Sequence, residues 1–127
     1  MAINKKVLLT DDNADIIELV QLVLSESGYD LMTATDGREA IQICLKEKPD
    51  LVLMDLNMPH VNGFDATRQL RQQGFTSPIV VLTASESEED RRKAEEAGCD
   101  AYILKTMEMR DVERVLDRFL LGPGEMK

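Results

Sequence analysis

Apolar residues in this chain collect in five short runs, and longer segments with amphipathic or capped character separate them. The runs fall at residues 7–10, 30–34, 51–55, 79–83 and 101–104. Three of them, Val7-Leu8-Leu9, Leu51-Val52-Leu53-Met54 and Ile79-Val80-Val81-Leu82, are apolar without a break. Strands covered on both faces have that composition, and parallel sheets are covered on both faces.

Helix signals fill the intervals. The first helix is predicted over 15–27, with Gly28 as its stop. The second begins after Asp36, with Glu39 three residues on as in a capping box, and stops before Pro49. The third covers 64–73 and ends at Gly74. The fourth opens at Ser85 or Ser87, pairs Glu88 with Arg92 and Glu89 with Lys93 one turn apart, and ends at Gly98. Its only apolar anchors are Ala94 and Ala97, so it is expected to be loosely held. The fifth carries a stripe of Val112, Val115, Leu116, Phe119 and Leu120.

Strict βαβα alternation requires a parallel sheet with right-handed crossovers. Five such units predict an α/β, (βα)5 doubly wound sheet of order 2-1-3-4-5, the flavodoxin-like arrangement. Residues 1–121 form one domain in this reading, and residues 122–127 form a short flexible tail. With nothing after the fifth helix, a stand-alone single-domain protein is expected.

Composition narrows the function. Of 127 residues, 15 are Lys or Arg and 24 are Asp or Glu, for a net charge of −9. That balance argues against direct nucleic-acid binding or docking on an anionic membrane. Cys44 and Cys99 belong to no metal-binding spacing and read as small buried or half-buried residues in a reducing compartment. Neither a signal peptide nor a membrane-length apolar run is evident, so a cytoplasmic location is expected.

The carboxyl ends of the strands carry the chemistry. Ligands of open α/β sheets bind there. The first strand ends in Asp11-Asp12, the third in Asp55, the fourth in Thr83, and the fifth just before Lys105. The predicted strand order brings three carboxylates, a hydroxyl and an ammonium to one edge. Carboxylates that close cannot all ionise at neutral pH without a cation, and a hard oxygen-liganded ion such as Mg²⁺ resolves the conflict. Asp55 is then free to act as a nucleophile toward a phosphoryl group. Thr83 and Lys105 can each answer a phosphoryl oxygen. His60 lies in a loop with no second ligand nearby and reads as surface.

Four segments together resemble the receiver domain of two-component response regulators, the CheY-like family. They are Thr10-Asp11-Asp12-Asn13, Leu53-Met54-Asp55-Leu56-Asn57-Met58-Pro59 with Gly63, Leu82-Thr83-Ala84, and Ala101-Tyr102-Ile103-Leu104-Lys105. The resemblance covers about residues 5–121. It implies that Asp55 is the phosphoacceptor, charged by a phosphohistidine of a sensor histidine kinase or histidine phosphotransfer protein. It implies Mg²⁺ or Mn²⁺ held by Asp12 and Asp55, by Asp11 through water, and by the Asn57 backbone carbonyl. Thr83 with Ala84, Lys105 and Tyr102 are implied to bind the phosphoryl group or switch with it. The output is a changed face of the fourth helix, fifth strand and fifth helix, read by a downstream protein. Asn57 and Ser85 are implied to tune hydrolysis of the phosphoaspartate. Such a protein catalyses only its own phosphorylation and dephosphorylation, and a monomer or weak dimer is expected.

One position departs from the family, which usually has a cis-proline after the lysine. Here Thr106 follows Lys105. A cis bond before a non-proline residue costs about 2.5–4 kcal/mol, so a trans bond and a mobile 106–108 loop are expected. Three other readings compete. An aspartate-nucleophile phosphohydrolase needs its nucleophile on the first strand and an acid two residues on, where Asn13 stands. A flavin-binding relative would meet Asp11 and Asp12 where it needs phosphate donors. A receiver-shaped module regulated without phosphorylation has no need of Asp55, Thr83 and Lys105 together. A nucleotidase of the P-loop type is excluded by the lack of GxxxxGK[ST].

Overall fold

The computed structural model describes residues 5–58, 60–105 and 108–121. Five strands alternate with five helices: β1 (Lys6–Thr10), α1 (Ala14–Glu26), β2 (Asp30–Ala34), α2 (Gly37–Glu47), β3 (Leu51–Met54), α3 (Gly63–Gln72), β4 (Ile79–Thr83), α4 (Glu88–Ala97), β5 (Ala101–Leu104) and α5 (Met109–Leu120). The sheet is parallel in the order β2-β1-β3-β4-β5, as the alternation predicts. The Lys105–Thr106 bond, the loop expected at 106–108 except Glu108, and the tail at 122–127 lie outside the described residues.

The continuously apolar runs are the buried central strands. Every residue of β3 and β4 is buried, because helices cover both faces of the sheet. One face packs Leu9, Leu53, Val80 and Leu82 against α1 and α5, through Val20, Leu24, Val112 and Leu116. The other packs Leu8, Val52, Met54 and Ile79 against α2 and α3, through Ala40, Cys44, Ala66 and Leu70. Ser27 with Glu113, and Tyr29 with Asp117, add polar ties to the α1–α5 side.

The helices start where their caps predict. Asn13 Oδ1 accepts from Asp15 N and Ile16 N, Asp36 from Glu39 N, and Asn62 from Asp65 N. Ser87, not Ser85, caps α4. Helix α4 buries only Ala94 and Ala97. Its surface pairs are Glu89 with Lys93 (3.5 Å) and Arg91 with Glu95 (3.8 Å), rather than Glu88 with Arg92. No helix among the described residues is long and apolar enough to cross a membrane.

Candidate functional site

The sheet's carboxyl edge is assembled by backbone register. Thr10 pairs with Met54, and the ladder runs one step further, with Asp55 N donating to Thr10 O at 3.0 Å. Asp11 N likewise donates to Ala34 O (3.0 Å), and Lys105 N to Thr83 O (2.8 Å). These bonds lock Asp11, Asp55 and Lys105 just beyond the ends of β1, β3 and β5, the last two with β4 between them. Asp55 therefore sits one residue past β3 rather than within it.

Asp11, Asp12 and Asp55 each offer a carboxylate oxygen within 4.8 Å of the others. Asp11 and Asp55 are buried, at 1% and 5% exposure, while Asp12 is open to solvent. Lys105 Nζ reaches Asp11 Oδ2 at 2.8 Å and Asp55 Oδ2 at 3.3 Å. Asp11 Oδ1 accepts from Asn13 N at 2.9 Å, which orients that carboxylate. Asp55 is held more loosely: among the described residues its Oδ1 accepts from Asn57 N alone, at 3.5 Å. Burial pushes the Asp55 carboxyl above the usual carboxylate range and the charge of Asp11 adds to this, while Lys105 opposes both. Burial alone would lower the Lys105 ammonium, but its hydrogen bond to Asp11 and the charges of Asp55 and Asp11 outweigh it and hold it high.

Three carboxylates thus face one ammonium, and the excess negative charge sits in a partly dehydrated pocket. Every donor is a hard oxygen, a set that suits Mg²⁺ and not a soft metal. The residues present fit a divalent cation bound by Asp11, Asp12 and Asp55.

The remaining candidates line the same edge. Thr83 is fully buried, and its Oγ1 accepts from Ser85 N at 3.2 Å, which leaves the hydroxyl proton free to donate elsewhere. Ala84 and Asn57 are exposed. Tyr102, half-buried on β5, donates its phenol to Ser85 O at 2.9 Å, and the Arg91 guanidinium lies 5.6 Å from its ring centre. His60 is exposed, with a left-handed backbone (φ 65°), and stands outside the cluster.

Two supports, Gly37 and Asp90, escaped sequence reasoning, and Gly63, already part of the quoted motif, gains its physical reason here. A Cβ on Gly63 would lie 2.1 Å from the Asp55 carbonyl oxygen, and one on Gly37 would lie 2.1 Å from that of Val61. Both glycines let a helix start press against the loop that follows Asp55. For Gly37 the partner is remote in sequence, and no local signal announces it. Asp90 on α4 is the other, bonded to Ser85 Oγ at 2.6 Å; Ser87-x-x-Asp90 has capping-box spacing, a signal for the helix cap and not for a bond to Ser85.

Comparison with known proteins agrees with this geometry. The model for the response regulator receiver domain matches residues 7–117. The alkaline phosphatase synthesis transcriptional regulatory protein PhoP of Bacillus subtilis is 43% identical over 109 residues, covering 86% of this chain and 45% of that protein. The chain thus spans less than half the length of that curated relative. The BeF3-activated N-terminal receiver domain of Klebsiella pneumoniae RstA superposes with a TM-score of 0.87 at 30% identity, covering 93% of this chain and 100% of that one. A receiver domain of a Pseudomonas aeruginosa sensor histidine kinase, solved with a magnesium ion coordinated in its active-site cleft, gives 0.86 at 29% identity, covering 94% and 99%. The chain belongs to the response regulator receiver domains of two-component systems, whose role is to accept a phosphoryl group and which bind Mg²⁺ in an acidic cleft.

Proposed function

We propose that Asp55 is the phosphoacceptor of this receiver domain. The observation that carries the reading is the contrast among the three carboxylates. Asp11 is fixed by Asn13 and Lys105, Asp12 is exposed, and Asp55 is buried, loosely bonded and next to an ammonium. A carboxylate oxygen of Asp55 attacks the phosphorus of a phosphohistidine. The P–N bond breaks, an acyl phosphate forms, and the imidazole leaves with the bonding pair. A bound Mg²⁺, or Mn²⁺ with the same oxygen chemistry, neutralises charge on the transferring group.

Asp11, Asp12, Asp55 and the Asn57 backbone carbonyl would hold that ion, Asp11 through water. Lys105 pairs with one phosphoryl oxygen, and the free proton of Thr83 meets another, next to the Ala84 backbone. Tyr102 turns with Thr83. The altered surface of α4, β5 and α5 then meets a downstream protein. Return to the resting state is hydrolysis of the phosphoaspartate, tuned by Asn57 and Ser85. The Ser85 hydroxyl is committed to Asp90 and offers the attacking water no base, so a moderate lifetime is expected. The phosphoryl source is a sensor histidine kinase or a histidine phosphotransfer protein. Residues 1–121 act as one signalling unit.

Titration of the purified chain with Mg²⁺, followed by amide shifts, tests the site. Asp12→Ala and Asp55→Ala are each expected to weaken binding. Unchanged affinity in both variants rules the proposed ligand set out.

A further inference from the structure

Ser85 joins three elements with its backbone and hydroxyl. Its N–H donates to Thr83 Oγ1 (3.2 Å), at the end of β4. Its carbonyl accepts from Tyr102 OH (2.9 Å), on β5. Its hydroxyl donates to Asp90 Oδ2 (2.6 Å) and accepts from Ser87 N (3.3 Å), both at the start of α4. Ser87 Oγ in turn caps the helix by accepting from Asp90 N at 3.2 Å.

This is a capping box enlarged by one hydroxyl. In the ordinary box, the acid three residues into the helix reaches back to the N–H of the cap residue. Here Ser85 Oγ takes the Ser87 N–H, and Asp90 holds Ser85 instead. The inserted hydroxyl belongs to the loop that leaves Thr83. Hydrogen bonds to carboxylates are charge-assisted, and this one is the shortest of the four that Ser85 makes.

Helix α4 has little else to fix that end. Its buried residues are two alanines. Its far end is fastened separately, where Arg71 Nε donates to Gly98 O (3.0 Å) and Arg71 Nη2 meets Asp100 (2.8 Å). Among the described residues its N-terminal turn is held to neighbouring elements by the Asp90–Ser85 bond and by the Arg91 guanidinium over the Tyr102 ring, so the helix follows whatever moves them.

We propose that Asp90 is a positioning residue of the switch. It fastens α4 to Ser85, so that displacement of Thr83 toward a phosphoryl group reaches α4 through the Ser85 hydroxyl as well as through Tyr102. The proposal rests on the reading of Asp55 and Thr83 given above. When Thr83 Oγ1 moves, the Ser85 N–H bound to it is dragged or released, and Asp90 carries that movement into the first turn of α4.

Amide spectra of the full chain, with Mg²⁺ and acetyl phosphate, test this at matched phosphoryl occupancy measured by intact mass. The wild type is expected to shift at Asp90, Arg91 and Tyr102. In Asp90→Ala and in Ser85→Ala the shift in the first turn of α4 falls by roughly threefold or more, and the double variant falls no further than either single one. Asp90→Asn retains the response, because its amide oxygen still accepts from Ser85. Ser87→Ala removes the helix cap that Ser87 Oγ gives Asp90 N but leaves the tether intact, and it retains the response. An undiminished α4 shift in Asp90→Ala, or an equal loss in Ser87→Ala, overturns the proposal while Asp55 phosphorylation stands. A wild type that takes no phosphoryl group on Asp55 overturns the underlying reading and the proposal with it.

Discussion

The ammonium of Lys105 stands 2.8 Å from Asp11 Oδ2, nearer than its 3.3 Å approach to Asp55. Lys105 is thus first of all the counter-ion of Asp11. A divalent cation drawn to the same carboxylates must share Asp11 with it. Lys105→Met is expected to tighten Mg²⁺ binding roughly three- to tenfold, because an opposing charge a few ångströms away is removed. The same variant loses the phosphoryl-bound response at Tyr102. Mg²⁺ affinity that stays the same or weakens contradicts this placement of Lys105.

Burial and Asp11 raise the Asp55 carboxyl, so without metal its ionised form is costlier in the fold than in the unfolded chain. The sign follows from linkage. The stability contributed by the protonated group is present at acid pH and is lost as pH rises through the folded-state value. Asp55→Asn keeps the shape without the charge and is expected to stabilise the metal-free protein by about 1 kcal/mol at neutral pH. Thermal unfolding checks it: the gap between variant and wild type should widen as pH rises above the ordinary carboxylate range and close when Mg²⁺ is added. A gap independent of both pH and Mg²⁺ contradicts the electrostatic account.

The loop after Asp55 is expected to be the least tolerant backbone in the molecule. A Cβ on Gly63 would meet the Asp55 carbonyl oxygen at 2.1 Å, and one on Gly37 would meet that of Val61 at 2.1 Å. Backbone atoms cannot move aside as a side chain can, so Gly63→Ala and Gly37→Ala should each cost about 2–4 kcal/mol. Gly74→Ala faces open space, with φ +86°, and should cost only about 1 kcal/mol for its left-handed backbone. Denaturant midpoints of the three variants test the order, and equal losses refute it.

The architecture was legible because the central strands are buried on both faces, which leaves unbroken apolar runs at Leu51-Val52-Leu53-Met54 and Ile79-Val80-Val81-Leu82. Asp11, Asp12, Asp55, Thr83 and Lys105 were legible as candidates because each follows such a run. What stayed hidden depends on residues far apart in the chain. Arg71 donates to the carbonyls of Phe75, Ser77 and Gly98 and pairs with Asp100, a clamp that no local pattern reveals. Ser85 and Ser87 looked like equivalent caps, and only the geometry separates the cap from the tether. Helix α2 closes on Lys48 in a left-handed conformation (φ 49°), where the sequence showed only the following Pro49 as a stop.

Both thiols are expected to be inert in the native state. Burial pushes Cys44 up to about 12, and burial with the charges of Glu95 and Asp100 pushes Cys99 up to about 11. Only the thiolate reacts, so alkylation near neutral pH should be slow in the folded protein and fast once it is unfolded. The same shifts favour the protonated thiols in the fold, and that contribution is lost as pH climbs above about 9 toward the folded-state values. Rapid native labelling of Cys99 at neutral pH contradicts this environment.

The central claim is that Asp55 takes the phosphoryl group. Intact-mass analysis of the chain after incubation with acetyl phosphate and Mg²⁺ tests it most directly. The account predicts one added phosphoryl group in the wild type, labile in acid and in base as an acyl phosphate is, and none in Asp55→Asn or when Mg²⁺ is chelated. A stable modification on His60 or a serine, or undiminished labelling of Asp55→Asn, would contradict it.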